Sequence, residues 1–128
     1  MQQPSVVEGF AERAGFEIIE ADGDRVILEW ELTPGHLQPD GIVHGGVYCA
    51  AVETAASVGA ALWFGPRGRV VGVNNNTDFL RAVSAGRMRA TATPLHRGRS
   101  QQLWQVVVTD DEQRAIARGQ VRLQNLSG

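Results

Sequence analysis

Residues 45–65 read GGVYCAAVETAASVGAALWFG, and this stretch decides the fold. Residues 47–64 are too long and too alanine-rich for a strand, so the run is expected to be a helix. Gly65-Pro66-Arg67-Gly68 stops it firmly. Length and apolar content alone would suit a membrane span. Glu53, however, sits in the middle, where a charge is expensive in lipid, and alanine adds little hydrophobicity. A helix buried in protein is therefore expected, with no membrane partner.

The flanks complete the layout. Upstream, residues 34–46 form a loop rich in Pro, Gly and His. Before it, residues 16–20 and 25–32 read as strands joined by the turn Ala21-Asp22-Gly23-Asp24. In the second strand Val26, Leu28 and Trp30 alternate with mostly polar neighbours, which predicts one buried face. A short helix opens the chain, with Ser5 and Glu8 at capping-box spacing and Gly15 closing it. Downstream come four strand-like runs, residues 69–80, 87–94, 102–109 and 115–123. Their joints, residues 83–86, 96–100 and 110–113, are short, so consecutive strands are expected to pair antiparallel. Neither repeat nor linker interrupts the pattern. The expectation is one α+β domain over residues 1–128, a sheet wrapped on a central helix.

Composition narrows the function. At 128 residues the chain buries enough surface to fold without a disulfide or metal. Hydrophobic residues at 43% and charged residues at 20% exclude disorder, and a net charge of -2 argues against a nucleic-acid partner. The single Cys49 cannot form an intrachain disulfide, which fits a reducing, cytoplasmic setting. The opening residues lack a basic region followed by an apolar run, which agrees with that setting. The histidines at 36, 44 and 96 have no HxH or HxxxH spacing, so neither a metal site nor a cofactor is expected.

Two features carry chemistry. Glu53 is the only charged residue between Val47 and Leu62, and its helical neighbours are Cys49, Ala50, Ala56 and Ser57. A solvated face would hold several charges. Burying a lone carboxylate costs free energy, and such groups tend to be kept for function. The second feature is His44-Gly45-Gly46 at the helix start. The first amides of a helix have no partner within it and lie at the positive end of its dipole. Glycines there let a substrate oxygen approach, as in an oxyanion hole. His44 and Glu53 are nine residues apart, roughly 13 Å along a helix. One reacting carbonyl cannot touch both, so a shared site requires two chains, with antiparallel helices in a two-fold dimer.

Gln38-Pro39-Asp40-Gly41-Ile42-Val43-His44-Gly45-Gly46 followed by Glu53 resembles the hotdog-fold acyl-CoA thioesterases of the 4-hydroxybenzoyl-CoA, PaaI-like type. The likeness continues through Asn76-Thr77-Asp78-Phe79-Leu80-Arg81, Gly86 and His96-Arg97-Gly98-Arg99-Ser100. It implies a hotdog fold and hydrolysis of an acyl-CoA, with aryl or short-to-medium acyl groups favoured. Glu53 would act as nucleophile or general base, and the Gly45 amide would polarise the carbonyl. His44, which leads into that glycine pair, would belong to the catalytic set, Gln38 would hydrogen-bond near the carbonyl or the carboxylate, and Ser57 would position water. Gln38 and Gly45 would come from one subunit, Glu53 and Ser57 from its partner. A homodimer is the implied minimum, and a homotetramer the fuller assembly. Gly46, Asn76, Arg81, Arg97, Gly98, Arg99 and Ser100 are the expected substrate and CoA contacts, the arginines because guanidinium pairs well with phosphate. The rival readings are a hotdog dehydratase or hydratase, which needs a catalytic His, and a non-catalytic acyl-CoA-binding protein.

Overall fold

A computed structural model describes residues 9–128. The chain runs through α1 (Phe10–Arg13), β1 (Glu17–Ala21), β2 (Val26–Glu31), α2 (Gly45–Phe64), β3 (Gly68–Phe79), β4 (Arg87–Arg97), β5 (Gln101–Thr109) and β6 (Ala115–Ser127). Single 3-10 turns at Pro34–His36 and Gly65–Arg67 lie before and after α2. Ser5 and Glu8, the expected caps of the first helix, fall outside the described residues. Gly15, at φ +83°, does close α1. The β1–β2 turn is held by Asp22, whose Oδ1 accepts from the Asp24 and Arg25 amides at 2.8 Å each.

All six strands form one antiparallel sheet in the order β1-β2-β4-β5-β6-β3, and α2 touches every one of them. This is the hotdog arrangement, a long helix wrapped by a sheet. Val26, Leu28 and Trp30 of β2 are fully buried as expected, and Ile27 between them is buried as well, so only Glu29 and Glu31 keep the other face polar. Val26, Leu28 and Trp30 meet Ala92, Ala90 and Met88 of β4 in register. Tyr48, Ala51, Val52, Ala55, Ala56 and Ala60 supply the helix's share of the core. The apolar length of α2 is thus matched by strands.

One expectation fails. β3 and β4 are consecutive but do not pair: β4 joins β2, and β3 joins β6 at the far edge. The apolar face of β2 claims β4, and the connection between β3 and β4 is long enough to cross the molecule. It leaves β6 at Ile116, which accepts from Leu80; it passes Val43, whose amide donates to the Val83 carbonyl; and it reaches Leu32, which donates to Gly86. Its path therefore skirts the N-terminal tip of α2. A second difference is smaller. β4 runs to Arg97, so only Gly98, Arg99 and Ser100 remain as the turn into β5.

Candidate active site

His44 is the N-cap of α2. Its Nδ1 accepts from the Gly46 amide at 2.8 Å, and a side chain at 46 would collide with the imidazole. The Gly46 amide is thus engaged in the cap, and His44 caps the helix through Nδ1. The Gly45 amide remains, and no acceptor meets it among the described residues. Phe79 lies so near Gly45 that a Cβ there would stand 2.6 Å from the ring. Glycine is therefore required by the packing as well as by the open amide.

A cavity of about 360 Å³ opens at this tip, lined by Gln38, Gly45, Tyr48, Phe79, Arg81 and Val83 among others. Gln38 Oε1 accepts the Asp40 amide, which locks the loop and leaves the Nε2 donor available. Arg81 is exposed on the crossing segment. Tyr48, one turn into α2, is 3% exposed, and its hydroxyl has no hydrogen-bond partner among the described residues. Burial pushes its phenol up to about 12.

Glu53 stands two turns further along α2 and does not line this cavity. It is half-buried, and its Oε1 accepts from Asn75 Nδ2 of β3 at 3.1 Å. Oε2 lies against the bare Cα of Gly72, where a Cβ would collide with it. Ser57, half-buried, follows one turn after Glu53. The tip residues Gln38, Gly45 and Arg81 are thus gathered in one place, and Glu53 and Ser57 in another.

Gly72 carries no signal in the sequence, Phe79 lies in the matched motif without a role of its own, Tyr48 and Trp63 are equal candidates there for an acyl pocket, and the sequence does not separate Asn75 from its two neighbouring asparagines. For Asn75 the reason is a β-bulge. The register of β3 against β6 shifts between Gly72 and Asn74, leaving Val73 as the extra residue. Alternation past that point flips, so Asn75 faces the helix. Asn76, the expected contact, turns instead to the outer face beside Asp78, Gln105 and Arg118. The run of asparagines at 74–76 was the available signal, because Asn is depleted in strands.

The basic turn lies beyond the other end of α2. Trp63, Phe64, Arg67, Arg97, Gly98, Arg99 and Ser127 line a cavity of about 460 Å³. Arg97 is not a free cation: its Nη1 donates to the Gly23 carbonyl at 2.6 Å and to Asp24 at 2.7 Å. Its guanidinium also lies 5.5 Å from the Trp63 ring, which Arg67 approaches to 4.4 Å. Arg99 and Ser100 are exposed. Buried Asn125 fixes the turn, donating to the Gly98 and Arg99 carbonyls at 3.0 and 3.1 Å. Gln102 in turn holds Asn125 at 2.8 Å and accepts from the Trp104 indole at 2.8 Å.

Comparison with known proteins shows the family. The Thioesterase superfamily profile matches residues 40–117. The chain is 51% identical over 125 residues to Rv1847 of Mycobacterium tuberculosis, covering 95% of this chain and 89% of that one. The Rv1847 structure superposes with a TM-score of 0.91 at 52% identity, covering 93% of this chain and 97% of that one. A 1,4-dihydroxy-2-naphthoyl-CoA hydrolase of Listeria monocytogenes is 35% identical over 108 residues, 84% of this chain and 88% of its own. Thioesterase HI1161 of Haemophilus influenzae superposes with a TM-score of 0.87 at 30% identity, covering 91% and 82% of the two chains. The chain belongs to the thioesterase superfamily. Its class is that of the thioester hydrolases, built on the hotdog fold.

Proposed function

We propose that the protein hydrolyses an acyl-CoA to a free acid and CoA in sites shared between two copies of the chain. One observation carries this reading: α2 has at its tip, at Gly45, an amide with no partner among the described residues, and one half-buried carboxylate, Glu53, two turns away. The long edge of β3, unpaired among the described residues and with Val71, Val73 and Phe79 exposed, supports a two-fold partner. Antiparallel pairing there would bring one copy's Glu53 to the other's Gly45. A tetramer would follow from two such dimers.

In such a site the Gly45 amide and the α2 dipole polarise the thioester carbonyl, with the Gln38 amide group beside it. Glu53 then acts in one of two ways. As nucleophile, its carboxylate oxygen bonds to the carbonyl carbon, the C–S bond breaks, and the thiolate leaves and takes a proton. Water afterwards splits the mixed anhydride. As general base, Glu53 takes a proton from a water held by Ser57, the water oxygen bonds to the carbonyl carbon, the C–S bond breaks, and the departing thiolate takes the proton from Glu53. The acyl group is assigned to the tip cavity, which Tyr48 and Phe79 line as a contacting pair with ring centroids 6.2 Å apart, and an aryl or short-to-medium chain suits that aromatic wall. The Listeria relative acts on an aryl-CoA by its name, which supports the same choice. Arg81 near the tip and Arg99, with the aromatic Trp63, at the basic cavity suit the phosphates and base of CoA. Arg97 would serve by holding Trp63 and the turn. Cys49, alone in the chain, fits a cytoplasmic setting.

Release of free thiol from benzoyl-, phenylacetyl- and straight-chain acyl-CoAs, followed with a chromogenic disulfide, tests the reading. Glu53→Ala should fold normally and lose about 10²–10⁴-fold in kcat. Wild-type protein that binds these thioesters but releases no thiol from any of them overturns hydrolysis in favour of a binding role.

A further inference from the structure

We infer that Asn75 is a positioning residue for the catalytic carboxylate, brought to it by the bulge at Val73. The inference rests on the hydrolytic role proposed for Glu53. Three hydrogen bonds define the arrangement. Asn75 Nδ2 donates to Glu53 Oε1 at 3.1 Å and to the Cys49 carbonyl at 3.0 Å, and Asn75 Oδ1 accepts from Thr77 Oγ1 at 2.7 Å. The amide cannot turn over without loss. A flip would place its oxygen against a carboxylate and a carbonyl, both acceptors only. The Thr77 hydroxyl supplies the matching donor on the other side.

The carboxylate is therefore set from two directions. Oε1 is tied to Asn75, and Oε2 rests on Gly72 with no donor among the described residues. Glu53 has several rotatable bonds and a helix surface of small neighbours, which alone would leave it many rotamers. Fixing one oxygen leaves the other as the atom that meets a thioester carbon or a water. The bulge is what makes this possible. Regular alternation through β3 would carry the helix-facing side from Gly72 to Asn74 and Asn76. The extra residue hands that side to Asn75 and Thr77. Asn75 touches no reacting atom and acts through Glu53.

The test uses purified full-length protein and the acyl-CoA it turns over fastest. Asn75→Ala and the near-isosteric Asn75→Asp should lower kcat about 10–100-fold and leave KM within about 2-fold. Melting temperature and sedimentation should stay at wild-type values. Thr77→Val, which frees the amide without removing it, should lower kcat less, by about 3–10-fold, and it carries the test if an Asn75 variant fails to fold. Asn75 and Thr77 variants with wild-type kcat overturn the inference. So does a loss that follows melting temperature or dimer content, because Asn75 then merely ties β3 to α2. Full activity in Glu53→Ala is a separate outcome: it removes the functional reading, and the inference with it.

Discussion

Tyr48 is the only tyrosine in the chain, so its state is open to a clean optical measurement. Desolvation disfavours the phenolate and pushes the group up to about 12, against 10 for a free phenol. Absorbance of the folded protein near 295 nm should therefore stay flat through pH 10 and rise only toward 12. A midpoint at 10 in protein that is still folded would show that water reaches the hydroxyl. The sign for stability follows. A raised folded value favours the folded state fully below the unfolded value near 10, and this contribution is lost as pH climbs toward 12. Glu53 was legible at this scale, because a lone charge among small residues needs no neighbour in space to be noticed. Asn75 was not, since its partner lies 22 residues away and its facing depends on a bulge.

Helix α2 packs closely because glycines sit where strands press against it. Gly59 meets Trp104, and a Cβ there would stand 2.6 Å from the indole ring. Trp104 is fully buried and held by Gln102, so it cannot yield easily. Gly59→Ala gains about 1 kcal/mol in helix propensity. It costs about 1–3 kcal/mol in overpacking against a fixed ring, so net destabilisation is expected. A lowered urea midpoint with an unchanged slope is the readout, and a raised midpoint would mean the indole shifts freely. Most elements of the fold were visible as runs of residues. Strand partners were less so. Short joints correctly paired β4 with β5 and β5 with β6, yet β3 and β4 separate because residues 80–86 cross the tip of the helix.

For the assembled molecule the decisive test is complementation. Glu53→Ala and Gly45→Ala should each be inactive as pure dimers. Unfolded together in equal amounts and refolded, half of the dimers are mixed, and each mixed dimer holds one site with both groups intact. About a quarter of wild-type activity should return if each site spans two chains. No recovery, with mixed dimers shown to form, would place Glu53 and Gly45 in one chain's site and contradict the shared arrangement.

The sequence by itself determined the central helix, its single carboxylate, the amide-bearing glycine at its start and the strands around it. Each of these is written in local spacing and in the chemistry of near neighbours. Only the tertiary structure decided which strand lies against the helix's charge, which asparagine of the triple run faces inward, and that His44 closes the Gly46 amide while leaving Gly45 open. Those outcomes depend on a one-residue bulge and on contacts between segments far apart in the chain. A shift of one residue reverses every side chain beyond it, and no local pattern specifies where that shift falls.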